Sequence, residues 1–217
     1  MKYRELHPWR VSAGEAVQIQ EQLCGQVRTE GEPANVRLVL GVDMGLRGQM
    51  MRAAAVALDY PDLRVVAQSL VERPLEFPYV PGLLSFREAP AILEALAGLD
   101  VEPDLVFVDG QGIAHPRRLG IAAHLGLLLE RPTIGVAKSI LTGRHAELSP
   151  AVGDRAPLVL GDEVLGYALR TRAGVKPVYV SVGNLISPDA AVEWTLRCCR
   201  GYRLPEPTRR AHQAASG

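Results

Sequence analysis

The chain has 217 residues, 47% of them hydrophobic and 22% charged, and its 24 basic and 24 acidic side chains leave no net charge. That composition describes a single soluble globular domain and argues against a simple polycationic nucleic-acid binder. Cys24, Cys198 and Cys199 form neither a CxxC pair nor a disulfide framework. No secretory pattern follows Met1 and no apolar run is long enough to span a membrane, so a reduced, cytoplasmic, monomeric protein is expected. The zero net charge hides a polarity. Residues 1–109 carry ten Lys and Arg against sixteen Asp and Glu, and residues 110–217 carry fourteen against eight. This suits a protein that gathers cations at one place and phosphates at another, and it equally suits uneven solvated faces.

In chain order, Ser12 and Glu15 stand at capping-box spacing and predict a helix over about 12–28. Val36–Met44, Met51–Tyr60 and Leu63–Arg73 then read as three strands of an antiparallel meander. A loop with two prolines follows, Pro78-Tyr79-Val80-Pro81. Proline fixes its own backbone and restricts the residue before it, so Tyr79 is presented on a stiff support, as suits a side chain that pushes between stacked bases. Ser85–Leu99 reads as a helix, Asp104–Asp109 as a short apolar strand, His115–Glu130 as a helix and Pro132–Ala137 as a buried strand. Strand, helix, strand implies right-handed crossovers and parallel neighbours. Leu158–Arg170, turning at Gly161-Asp162, and Val178–Val182 add strands. Ser187 opens a helix to about Cys199, and 205–217 reads as a tail or short helix beyond a core of about 36–204. The expected fold class is α/β: an RNase H-like mixed sheet with helices on both faces, a doubly wound dinucleotide fold being the competitor.

Several phosphate and nucleophile motifs fail. Gly110-Gln111-Gly112 has His115 where a dinucleotide fingerprint needs glycine, and Gly135-Val136-Ala137-Lys138-Ser139 lacks the P-loop glycines. There is no GxSxG elbow and no zinc-ligand spacing. Chemistry run by carboxylates and a hard metal ion remains. Asp43 and Asp109 are each read as closing a strand, where two acids brought side by side would repel and need a cation. Each is also a common turn residue. Glu88 is at capping-box spacing from Ser85, a role that does not exclude a ligand. Lys138 could hold a phosphate, orient a water or simply be solvated. His115-Pro116-Arg117-Arg118 places cationic groups at a predicted helix start, which points to a bound anion. His124 reads as a hydrogen-bonded core histidine, and His212 as either a tail residue or one that folds back to the acids.

Three blocks resemble the endonuclease V family: residues 78–88 (PYVPGLLSFRE), residues 109–120 (DGQGIAHPRRLG) and residues 132–138 (PTIGVAK), within a likeness running from roughly 36 to 212. The resemblance implies an RNase H-like fold and cleavage of inosine-containing DNA, or RNA, one nucleotide 3′ to the hypoxanthine. It implies Mg²⁺, with Mn²⁺ as a substitute, on Asp43, Glu88 and Asp109, and auxiliary catalytic roles for Lys138 and His212. Tyr79, carried by Pro78, Val80 and Pro81, falls on the strand-separating wedge. Gly82, Leu84, Gly110 and Gln111 fall on the pocket for the flipped base, and His115, Arg117 and Arg118 on phosphate contacts. The sequence departs from the family after Asp43, where Met44-Gly45-Leu46-Arg47-Gly48 is expected to form a mobile loop, and at Gln111, where many relatives carry His. Another RNase H-like nuclease, or a damage-sensing module without turnover, are the alternatives.

Overall fold

A computed structural model describes all 217 residues, Met1–Gly217. Helix α1 (Ala13–Leu23) starts at the predicted capping box: Ser12 accepts from the Glu15 N–H and Glu15 accepts from the Ser12 N–H. It stops short of residue 28 because the chain tightens into a 3-10 turn over Cys24–Gln26. Strands β1 (Leu38–Arg47), β2 (Met50–Asp59) and β3 (Val65–Pro74) form the expected antiparallel meander. The following elements are α2 (Leu84–Ala97), β4 (Leu105–Val108), α3 (Ile121–Leu129) and β5 (Thr133–Ala137). Then come β6 (Arg155–Leu160), β7 (Glu163–Leu169), β8 (Val178–Asn184), α4 (Pro188–Arg197) and α5 (Glu206–Ser216).

All eight strands join one sheet in the order β3-β2-β1-β4-β5-β8-β7-β6. The pairs β1/β4 and β4/β5 are parallel, with α2 and α3 as their crossovers, and the remaining pairs are antiparallel. This is the RNase H-like mixed sheet. Alternating residues feed two cores. Val39, Leu105 and Phe107 pack with Trp194 of α4 and Ala211 of α5. Leu40, Val42, Val106 and Val108 pack with Ile92 of α2 and Leu125 of α3 on the opposite face. The central strands are buried on both sides, which explains their continuous apolar runs. Each fully buried Leu or Phe there contributes about 1.5–3 kcal/mol relative to exposure. No helix is long and apolar enough to cross a membrane.

The structure corrects two sequence expectations and decides a third. Asp43 does not close β1. The strand continues through Met44–Arg47, paired with Met50–Ala53, so the supposed mobile loop is a strand arm that turns only at Gly48. The third helix begins at Ile121 and not at His115, because Arg118 has a left-handed φ of 56° and Gly120 is extended. A Cβ on Gly120 would lie 2.3 Å from the Gln111 carbonyl oxygen, so the chain needs glycine at that crossing. Of the two readings of residues 205–217, the short helix is the one found: α5 lies on β1 with Ala211 and Ala215 buried.

Candidate active site

The parallel pairing of β1 and β4 builds the site. Val42 pairs with Val108, and the Asp109 N–H donates to the Val42 carbonyl at 3.2 Å, so β4 ends where β1 presents Asp43. Gly41, Asp43 and Gly45 share one face of β1. Both glycines take the backbone of α5: a Cβ on Gly41 would meet the Pro207 carbonyl oxygen at 1.9 Å, and one on Gly45 the Ala215 oxygen at 2.7 Å. That close approach brings His212 to Asp43, Nδ1 to Oδ2, at 2.7 Å. A carboxylate accepts, so Nδ1 carries the proton and Nε2 is left for other work. The other carboxylate oxygen of Asp43 accepts from the Met44 N–H at 2.8 Å.

Ligand atoms of Asp43, Asp109 and His212 all lie within 4.8 Å of one another. Glu88, on α2, stands outside that tight set but close enough to feel it. Burial, then Asp43, raise its carboxyl to about 8, against a smaller lowering by Arg87. The reading of Glu88 as a cap is corrected: the helix already starts at Leu84 with Leu83 before it, no side chain caps it, and Ser85 faces inward to the His124 Nδ1 at 3.1 Å. Asp109 is also raised, by burial and by Asp43, while the ion pair with Lys138 and the charge of His212 oppose the shift. Crowded, half-desolvated acids of this kind are held apart in protonation until a cation joins them. Two carboxylates with one imidazole make a donor set that can hold a divalent cation.

Beside the acids is a cavity of about 370 Å³ whose wall includes Tyr79–Gly82, Leu84, Asp109, Gly110, Gln111 and Lys138. Tyr79 stands over it, 70% exposed, with the Arg87 guanidinium 5.6 Å from its ring centroid. Gln111 donates through Nε2 to the Ser139 carbonyl at 2.8 Å, which fixes the amide's orientation. Its Oε1 is buried without a partner, an unused acceptor.

The His115–Arg118 group, expected at phosphate contacts, makes a set of contacts within the protein. The Gly82 carbonyl, at a φ of 79°, accepts from His115 Nε2 at 2.9 Å, Arg117 Nη2 at 3.0 Å and Gln20 Nε2 at 3.0 Å. Burial lowers His115 to about 4, so it is neutral and clamps the loop behind Tyr79. Arg117 Nε donates to Gln20 Oε1 at 2.6 Å, and Arg118 forks onto Glu163 at 2.6 and 3.0 Å. The two arginines hold the wall of the cavity. Gln20 was missed in the sequence. A polar residue at the i+4 position of a buried stripe, between Ala16 and Leu23, was the available signal. Ile140 and Leu141, exposed at the rim of the cavity, gave none.

The profile of a known family, endonuclease V, matches residues 21–213. The chain belongs to the endonuclease V family. An endonuclease V of Trichormus variabilis is 54% identical over 219 residues, covering 100% of this chain and 99% of that protein. The crystal structure of the Streptomyces avermitilis endonuclease V is 43% identical with a TM-score of 0.91, covering 100% of this chain and 96% of that one. The endonuclease V of Ciona intestinalis, 26% identical, superposes with a TM-score of 0.81 over 94% of this chain and 95% of its own. It was crystallised with a 24mer DNA containing an inosine followed by a ribo-adenosine. Membership of the endonuclease V family makes this chain a nuclease.

Proposed function

We propose that this chain is a repair endonuclease that recognises deoxyinosine and hydrolyses the phosphodiester bond one nucleotide 3′ to it, leaving 3′-hydroxyl and 5′-phosphate ends. The observation that carries this reading is the shared wall of the cavity: residues 79–82 and Leu84 line it together with Asp109 and Lys138. A base turned out of a duplex by Tyr79 would enter a cavity whose wall includes Asp109. The free Gln111 Oε1 can accept from the ring N–H of hypoxanthine, whereas adenine presents an acceptor at that position and guanine adds an amine.

Asp43, Asp109 and His212, with Glu88 beside them, would hold the divalent ion, which supplies Lewis-acid activation of water and charge neutralisation at the phosphate. Lys138, already paired with Asp109, brings an ammonium group to the place where phosphate charge develops. His212 is oriented through its Nδ1 by Asp43, which leaves Nε2 unengaged. The neutral His115 and the Gln20–Arg117 pair keep the loop from yielding when Tyr79 meets the stack.

Cleavage of an end-labelled duplex with one inosine, with and without Mg²⁺, tests the reading. The expected product ends one nucleotide 3′ of the lesion, appears only with the ion, and is reduced by a factor on the order of 10³ in Asp43→Ala. Undiminished cutting by that variant overturns the metal assignment. Matched DNA and RNA oligonucleotides with one inosine decide between the two polymers.

A further inference from the structure

A second and larger opening flanks the loop that carries Tyr79. It is a groove of about 790 Å³, with Trp9, Arg10, Glu15, Arg73, Phe77 and Arg87 on its walls. The loop divides the two openings. Its incoming stem, Glu76-Phe77, lines the groove, and its outgoing stem, Pro81-Gly82, lines the base cavity. Helix α1 is divided likewise, with Glu15 on the groove and Gln20 on the cavity.

The charges of the groove are not balanced. Glu15 accepts from the Ser12 N–H and hydroxyl, each at 2.7 Å, and Glu76 accepts from Arg73 at 3.2 Å. The Ser12 groups are neutral, so three arginines face two glutamates and one positive charge is in excess; Arg73 is paired with Glu76, while Arg10 and Arg87 have no carboxylate within ion-pair distance. The Arg87 Nε is buried with no acceptor. Its guanidinium also lies against Tyr79, so the positive surface reaches the tip of the loop. Arg10 is exposed, but its segment is anchored: the Trp9 ring packs at 6.0 Å from Phe86 and 4.6 Å from His7.

We propose that this groove binds the sugar-phosphate backbone of the strand opposite the lesion. The proposal rests on the strand-separating role given to Tyr79 above. When the loop parts a duplex, the lesion strand turns into the cavity and its partner leaves past the incoming stem, where Arg10, Arg73 and Arg87 meet its phosphates. Contacts of this kind position the duplex without reading its sequence. They also give a protein of zero net charge a local cationic track.

Arg10→Gln and Arg10→Glu, titrated with an inosine duplex and with the same inosine strand alone over a range of salt, test it. The duplex affinity is expected to fall, and its slope of log affinity against log salt to become about 0.9 shallower for Arg10→Gln. Binding and cleavage of the single strand are expected to be unchanged. Methylphosphonate linkages in the opposite strand should weaken wild-type binding and add little to the loss in Arg10→Glu. Equal losses on both substrates, or no loss on either, overturn the proposal. The nuclease reading fails separately: wild-type protein that does not distinguish the inosine duplex from an unmodified one overturns that reading whatever Arg10→Gln does.

Discussion

His124 is fully buried, with Nε2 2.6 Å from His7 Nε2 and Nδ1 3.1 Å from the Ser85 hydroxyl. The Pro8 carbonyl lies 2.9 Å from His7 Nδ1 and can only accept, so His7 donates there. His124 Nε2–H must then donate to His7, and Ser85 must donate to His124. Every proton in the row is fixed, and burial lowers His124 from 6.5 to about 3. Below pH 6.5 the unfolded chain takes up a proton at this position and the folded one does not, so stability is complete above that pH and falls as pH drops toward 3. The slope is about 1.4 kcal/mol per pH unit for each such histidine. His115, lowered to about 4, adds its own share until that pH. Urea unfolding from pH 7 to 4.5 should show His124→Gln with the shallower pH dependence; identical slopes would refute the assignment. The sequence showed His124 on an apolar helix face, but not its partner, because His7 is 117 residues away. Glu88 was legible only through its company. Spacing from Ser85 favoured a cap, and the acids that make it a site residue lie on other strands.

At the scale of elements, the decisive contact is α5 on β1. A Cβ on Gly41 has nowhere to go, since its neighbours within 3 Å are backbone atoms of Pro207. Gly41→Ala is therefore expected to destabilise the protein by about 1–3 kcal/mol and to push α5 outward. Because His212 reaches Asp43 only through that close approach, cleavage should fall at least as far as in His212→Ala. Denaturant midpoints and single-turnover rates on the two variants check this. A Gly41→Ala protein with normal cutting would show that the helix is not positioned by this strand. The signal was present in the sequence as glycines inside a strand pattern, which mark close backbone approach. What covered them could not be read, because the last helix is polar over most of its length and buries Glu206 and Thr208 along with Pro207, Ala211 and Ala215. Local chemistry also decided the His115–Arg118 segment. Its composition suggested a cationic helix start, whereas the left-handed Arg118 and the hydrogen bonds to Gly82 made it a clamp.

Over the whole molecule, the candidate ligands come from β1, the end of β4, α2 and α5, so the site ties the opening strands to the last helix. The meander and the parallel crossovers were legible because hydrophobic runs and turn residues specify them locally. The convergence of residues 43, 88, 109 and 212 depends on sheet order and register, which no local pattern records. A divalent ion that binds this set in the folded chain and not in the unfolded one must stabilise the fold. At an ion concentration 100 times its dissociation constant the gain is about 2.7 kcal/mol. For a chain of this size that raises Tm by roughly 5–11 °C over the same protein in EDTA. Asp43→Asn and Asp109→Asn should lose the shift, while Glu88→Gln, outside the tight set, should keep part of it. Glu88→Gln also removes an acid that burial and Asp43 push up to about 8. Its Tm in EDTA should therefore equal or exceed that of the wild type even though its cleavage is lost. Thermal unfolding of the four proteins with and without Mg²⁺ decides the matter: a shift that survives Asp43→Asn unchanged would place the ion elsewhere, and the acids would then need another cation to explain their crowding.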